Sequence, residues 1–198
     1  MRRPRVFAVL SAALLALSCA KPPQAEIDAA RAALETAARS ADVVTYALDS
    51  LRAAQETMGS LQAELAVQTK RSPLGRGYEK AKQLAEETLA GTNAAVADAA
   101  AAKCELRAAT GPLIAAIGEA IPEVERRLWT ARRVRGMKAD FLAARARDIA
   151  QAREALAGAQ ADFDAGSYAA ANARAKAVQA SLDAIDGKIS EAVRLARK

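Results

Sequence analysis

The sequence predicts an all-α protein, folded as an elongated antiparallel helical bundle of five or six helices. Alanine is abundant among the 198 residues, and aromatic residues make up only 4%. The β-branched residues that favour strands are sparse, whereas the strongest helix formers dominate. Apolar residues also recur at spacings of three, four and seven. Alanine-faced helices pack closely but bury little area each, so the stability of such a bundle must come from helix length.

The first eighteen residues have the pattern of a secretion signal. Arg2, Arg3 and Arg5 form a charged head, and Ser11 is the only polar residue in the apolar stretch from Val6 to Leu17. This stretch is too short for a permanent membrane-spanning helix. Residues 1–18 are therefore predicted to be a signal peptide that is removed.

The end of this signal resembles the bacterial lipobox. Leu15, Ala16, Leu17 and Ser18 would form the cleavage motif, and Cys19 follows them. The resemblance implies that Cys19 carries covalent lipid, palmitate included, and becomes the first residue of the mature protein. Apart from this lipid we expect no cofactor and no metal. The alternative is ordinary cleavage near Ser18 or Ala20, which would leave a soluble secreted protein.

The residues after the cysteine bear on location. In bacterial lipoproteins an aspartate directly after the lipidated cysteine indicates retention in the inner membrane. This chain has Ala20 there, so the resemblance implies the outer membrane, with the body facing the periplasm. Residues 19–24 form the lipidated N-terminus and a short, stiff tether, Lys21-Pro22-Pro23-Gln24.

Residues 25–198 are predicted to form one helical domain, with 25–110 and 111–198 as alternative subdomains. Removal of residues 1–18 takes away three basic residues and no acidic ones, so the net charge falls from +6 to +3. That value is well below the charge typical of nucleic-acid-binding domains.

Because Cys19 is expected to carry lipid, Cys104 has no cysteine to pair with in its own chain. We expect Cys104 to be buried among alanines, and a disulfide between chains is the alternative.

Proline, glycine and β-branched residues indicate the helix boundaries of the first half. A first helix is expected from Gln24 to about Ser40, and residues 41–45 are the least helical segment because β-branched residues cluster there. A second helix is expected over 48–69, ended by the Pro- and Gly-containing segment 70–77. A third helix is expected to start near Tyr78 and to end at Thr110-Gly111-Pro112.

The second half carries apolar residues at heptad spacing. They are Ile114, Ile121, Leu128, Leu142, Ile149, Leu156 and Phe163, with a second series at Ile117, Val124, Ala131, Ala152 and Ala159. Pro122 fits the first turn of a new helix, and a phase change or a kink at Gly136 would restore the register between the two runs. The final helix is expected after Asp164-Ala165-Gly166.

Two further patterns concern ancestry. Positions in the helix after Tyr78 match those after Tyr168 at a constant offset of 90, as a duplicated helical hairpin would, and the segment 166–171 resembles the second helix of a tetratricopeptide-type hairpin. The segment from Cys19 to about residue 105 resembles a family of Ala-rich helical envelope lipoproteins whose activity is not established. The resemblance rests on Pro22-Pro23, Thr45-Tyr46-Ala47, Leu51-Arg52-Ala53-Ala54 and Tyr78-Glu79-Lys80-Ala81.

The inventory of reactive residues argues against an enzyme. The sequence contains no histidine, which is the commonest metal ligand and general base. No glycine-rich phosphate loop is present, and Ser72 and Ser167 have no base that would make them nucleophiles. We therefore expect neither catalysis nor a small-molecule substrate.

One basic segment is a candidate contact for an anionic partner. Residues 126–147 contain eight cations and a single acidic residue, Asp140. The cations are Arg126, Arg127, Arg132, Arg133, Arg135, Lys138, Arg145 and Arg147. Trp129 lies three or four residues from several of them, within reach of cation–π contact. The alternative is a solvated helix surface, partly neutralised by acidic neighbours.

These observations predict a membrane-anchored, non-catalytic lipoprotein that acts as a periplasmic scaffold or adaptor for another envelope component. The alternative is a binding module for peptidoglycan or anionic lipid, centred on Arg126–Arg147. Nucleic acid is not an expected partner.

Overall fold

The computed structural model describes residues 21–197, so Cys19 and the cleavage motif Leu15–Ser18 lie outside the described residues. The described part consists of six α-helices and contains no strand, which confirms the predicted all-α helical bundle. The helices are α1 (Gln24–Arg39), α2 (Ala41–Tyr46), α3 (Leu48–Lys70), α4 (Glu79–Ala131), α5 (Ala139–Asp164) and α6 (Tyr168–Ala196).

Helix α4 organises the whole fold, because it contacts each of the other five helices. Its 53 residues span about 80 Å at 1.5 Å per residue. Helices α1–α3 pack on its first half, and α5 and α6 pack on its second half. We call these two groups the first bundle and the second bundle; they lie end to end along one shared helix.

The core of the first bundle gives the direction of its helices. Ile27 of α1 shares a buried cluster with Leu61 of α3 and Ala81 of α4. Ten residues further along α1, Ala37 shares the next cluster with Ala95 of α4. Helix α1 therefore runs parallel to α4, and the N-terminal tether leaves the body at the end where α4 begins.

The second bundle has a larger aliphatic core. Both predicted heptad series lie in or against one cluster, and all five members of the second series are buried. Helix α5 runs antiparallel to α4, since Arg153 pairs with Glu125 and the later Phe163 lies beside the earlier Gly111. Helix α6 runs parallel to α4, since Asn172 contacts Thr110 and the later Asp186 pairs with the later Arg127. The second bundle thus ends where α4 and α6 both finish, at the opposite end of the molecule from the tether.

Polar contacts lie at mid-length, where the two bundles meet. The Asn172 side-chain amide donates to the Thr110 hydroxyl at 2.9 Å, and both residues are buried. The Tyr46 hydroxyl accepts from the backbone N–H of Ala169 at 3.4 Å. This oxygen satisfies an N–H at the start of α6, where helices leave such groups without an intrahelical partner.

The predicted helix end at Thr110-Gly111-Pro112 is wrong, and so is the predicted new helix at Pro122. Helix α4 continues through both prolines. The buried positions Thr110, Ile114, Ile117 and Ile121 keep a spacing of three or four across them. Both prolines lie on the exposed side, where water can satisfy the backbone carbonyls that lose their hydrogen bonds.

The predicted kink at Gly136 is instead a complete reversal of the chain. Helix α4 ends at Ala131, α5 begins at Ala139, and Gly136 has φ +92°. That backbone conformation is readily adopted only by glycine. The break in the heptad pattern therefore marks the turn of a helical hairpin.

The prediction that Cys104 is buried is wrong. Cys104 is exposed, because it lies on a face of α4 that neither bundle covers.

The residues that follow Tyr78 in α4 match residues that follow Tyr168 in α6 at the constant offset of 90, and both sets have the same environment. Those residues are buried in both helices: Ala81, Ala85, Thr88, Ala95 and Ala99 in α4, and Ala171, Ala175, Val178, Ile185 and Ile189 in α6.

We predict that Pro122→Ala stabilises the protein. The substitution restores a backbone N–H that can donate to the carbonyl of Gly118, one turn earlier, and should raise the free energy of unfolding by up to about 3 kcal/mol. Urea titration followed by circular dichroism measures the change. Pro22→Ala, in the tether before α1, is the control and should leave stability unchanged. A loss of stability in Pro122→Ala would contradict the explanation.

Candidate interaction surface

The basic segment divides into paired and unpaired cations. Arg126 and Arg127 both form ion pairs with Glu123, and Arg127 also reaches Asp186 at 2.7 Å. Arg145 pairs with Asp148 at 3.0 Å. These arginines are partly neutralised by neighbouring carboxylates, as the solvated-surface alternative expects.

Four of the other cations cluster at the far end of the second bundle, whereas Arg147 lies on α5 and donates to the backbone carbonyl of Ala143 at 3.4 Å. Arg132, Arg133 and Arg135 lie in the α4–α5 loop, and Lys138 immediately precedes α5. Within residues 21–197, none of these four forms an ion pair, and none donates a side-chain hydrogen bond. Their positive charge is therefore available to solvent and to a partner.

Trp129 lies beside these cations and is 53% exposed. The Arg133 guanidinium carbon lies 3.7 Å from the centre of the indole ring, a cation–π contact. Leu128 and Trp129 of α4, Arg132 of the α4–α5 loop and Ile149 of α5 line a groove of about 440 Å³. The indole thus offers apolar area next to unpaired positive charge.

The end of α6 adds residues that the sequence analysis missed. Leu195 is 56% exposed, and with Met137 and Phe141 it lines a second groove of about 330 Å³. Arg197 shares a third groove of about 380 Å³ with Arg126 and Arg127. The antiparallel order of α4, α5 and α6 could have indicated this proximity, because a single return helix brings the ends of α4 and α6 together.

We call this surface the distal end; it comprises Trp129, residues 132–138, Phe141, Leu195 and Arg197. Helices α4 and α6 both finish here, and their C-terminal carbonyls carry partial negative charge that nearby cations offset. The surface therefore combines a surplus of cations with two exposed apolar side chains, Trp129 and Leu195.

The described residues offer little other chemistry. Within residues 21–197, no group of three Cys, Asp or Glu side chains is placed to hold a metal ion. No helix in that range combines the length and apolarity needed to cross a bilayer. Comparison with protein-family models, curated proteins and solved structures found no match for this chain.

We predict that iodide quenches Trp129 fluorescence more strongly than caesium does, when each quenching constant is divided by the constant for free N-acetyltryptophanamide. The chain has one tryptophan, so its emission reports only on the distal end, and the neighbouring arginines attract the anion. The difference should shrink as ionic strength rises, because salt screens exposed charges. Stern–Volmer plots of the Cys19→Ala chain measure it. Equal quenching by both ions at low salt would contradict the proposed local charge.

Proposed function

We propose that the protein is a non-catalytic, lipid-anchored adaptor of the bacterial envelope that holds the distal end away from the membrane to bind an acidic protein partner. The observation that carries the proposal is the separation of the two ends. The tether leaves the body where α4 begins, and the distal end lies where α4 finishes, about 80 Å along the helix.

The sequence supports the anchor. The charged head, the apolar stretch and the lipobox-like motif before Cys19 would deliver the chain to the membrane and attach lipid there. Ala20 supports the outer membrane as the destination, with the body in the periplasm. Several acyl chains on one cysteine would give stable anchoring, whereas a single chain gives only marginal binding.

The composition of the distal end supports a protein partner. Tryptophan and arginine are enriched among residues that dominate binding energy at protein interfaces. Trp129 and Leu195 are exposed there beside Arg132, Arg133 and Arg135. An acidic protein face with an apolar centre would complement this arrangement.

A second candidate is peptidoglycan, favoured by the unpaired cations themselves. Arg132, Arg133, Arg135 and Lys138 could contact its carboxylates without any need for the apolar residues. Headgroups of the anchoring membrane fit the distal end less well, because the tether lies at the opposite end of α4.

We predict that Cys19→Ala abolishes both lipid labelling and membrane retention. A palmitate analogue should label the wild-type chain, because thioether and amide acylation both depend on this cysteine, and the labelled chain should fractionate with outer membrane. Cys104→Ala is the matched control and should be labelled like the wild type. Labelling of the Cys19→Ala chain would overturn the anchor.

We predict that reversing the distal charges weakens partner binding. In the triple variant Arg132→Glu, Arg133→Glu and Arg135→Glu, capture of acidic envelope proteins or retention on purified peptidoglycan should fall about tenfold or more at low salt, at up to about 1 kcal/mol per exposed contact.

The matched control reverses three exposed cations elsewhere, Arg31→Glu, Arg107→Glu and Lys176→Glu, and so changes the net charge equally. Loss only in the distal triple supports the surface. Equal loss in both triples, or none in either, would contradict it. Retention on peptidoglycan without capture of protein would favour the second candidate.

A further inference from the structure

The α3–α4 loop, residues 71–78, lies at the same end of the molecule as the tether. Leu65, near the end of α3, and Tyr78, just before α4, pack against the cluster that contains Ile27 of α1. Ile27 is in the first turn of α1, directly after the tether. The loop and the N-terminus of the body therefore share one end, which we call the proximal end.

Hydrogen bonds hold this loop in a defined shape. The buried Gln68 accepts from the backbone N–H of Gly77 at 3.0 Å, and its own amide donates to Glu64 at 2.7 Å. The Arg76 guanidinium donates to the backbone carbonyls of Thr69 and Arg71, both at 3.2 Å. The Gln68 hydrogen bond and Lys80 lower the pKa of Glu64 below its ordinary value, which keeps this carboxylate ionised as an acceptor.

The ordered loop nevertheless leaves a leucine in solvent. Leu74 is 82% exposed, the largest fraction among the exposed large apolar residues of the described chain. Val67, on the last turns of α3, is 47% exposed. The hydrogen bonds thus fix an apolar side chain outward instead of folding it onto the nearby core.

Basic residues flank Leu74 in the sequence. Lys70 and Arg71 are exposed and form no ion pair within residues 21–197. The terminal turns, the loop and the tether at this end contain more basic than acidic residues. The basic ones are Lys21, Lys70, Arg71, Arg76, Lys80 and Lys82, and the acidic ones are Glu26 and Glu79. Two of these lysines are paired with carboxylates further along the helices, Lys80 with Glu64 at 3.1 Å and Lys82 with Glu86 at 3.9 Å. An exposed apolar tip that follows two exposed cations, Lys70 and Arg71, suits the interface of an anionic bilayer.

The length of the tether places the membrane within reach. Four residues lie between Cys19 and Gln24, so the five steps from one Cα to the next let α1 begin at most about 18 Å from the attachment point. We propose that the α3–α4 loop is a second membrane contact, in which Leu74 enters the interface of an anionic bilayer while Lys70 and Arg71 bind its headgroups. This inference rests on the proposed lipid anchor at Cys19. The contact orients the body, with the distal end pointing away from the membrane.

The test uses the indole as a depth probe. In a Trp129→Phe background, which removes the only tryptophan, Leu74→Trp places one indole at the loop tip. The lipidated chain is reconstituted into vesicles of phosphatidylethanolamine and phosphatidylglycerol with bromine on the acyl chains. Leu195→Trp in the same background, an exposed leucine at the distal end, is the matched control.

We predict strong bromolipid quenching and a blue-shifted emission for Leu74→Trp, and neither for Leu195→Trp. Adding Lys70→Glu and Arg71→Glu to the loop variant should reduce the quenching, because the charges then repel the anionic lipid. Unchanged quenching after this reversal would overturn the role of anionic lipid.

Flotation of the vesicles separates the two proposals. A chain that does not float lacks the lipid anchor, and the proposed function fails with it. If the chain floats but the loop indole is not quenched, the anchor stands and the loop contact is wrong. Equal quenching at both positions would mean that the body lies along the surface, which also overturns the proposed orientation.

Discussion

The structure depends on the continuity of α4 through two prolines. A proline inside a helix removes one hydrogen bond and costs about 3 kcal/mol or more, so packing has to offset that cost. Ile114, Ile117 and Ile121 are buried between and beside Pro112 and Pro122, and burying one such side chain contributes about 1.5–3 kcal/mol. Without this packing α4 would break near its middle, and the two bundles would lose their common axis.

The two bundles pack their helices against α4 with side chains of different size. The first bundle brings α4 close to α1 and α3 through alanines such as Ala30, Ala81 and Ala85, each fully buried. The second fills its core with larger Ile, Leu and Val side chains. Small residues allow close approach but bury little area, so the first bundle relies on two successive clusters along its length. The proposed anchor lies at the alanine-rich end and the proposed binding surface at the aliphatic end.

The fold also determines which cations form ion pairs. Cations within helices, such as Arg127 and Arg153, pair with acidic residues of neighbouring helices. Cations in the two loops at opposite ends, including Arg71 and Arg135, form no ion pair within residues 21–197. Some helix cations, among them Arg31, Arg107 and Lys176, also form no ion pair in that range, but such cations are densest at the proximal and distal ends. Exposed apolar residues accompany them there, Leu74 at the proximal end and Trp129 at the distal end. A body of this kind is suited to contacts at its ends.

The sequence by itself determined the helical class, the boundaries of α1, α3 and α6 to within one or two residues, and the buried heptad positions of the second bundle. These follow from composition and local spacing, which need no knowledge of distant residues. Only the tertiary structure decided that Pro112 and Pro122 lie inside one helix and that Cys104 is exposed. It also decided that Arg197 and Leu195 join the loop cations at the distal end. Each depends on which faces the neighbouring helices cover, because local propensity can be overridden by burial that residues far apart in the chain supply.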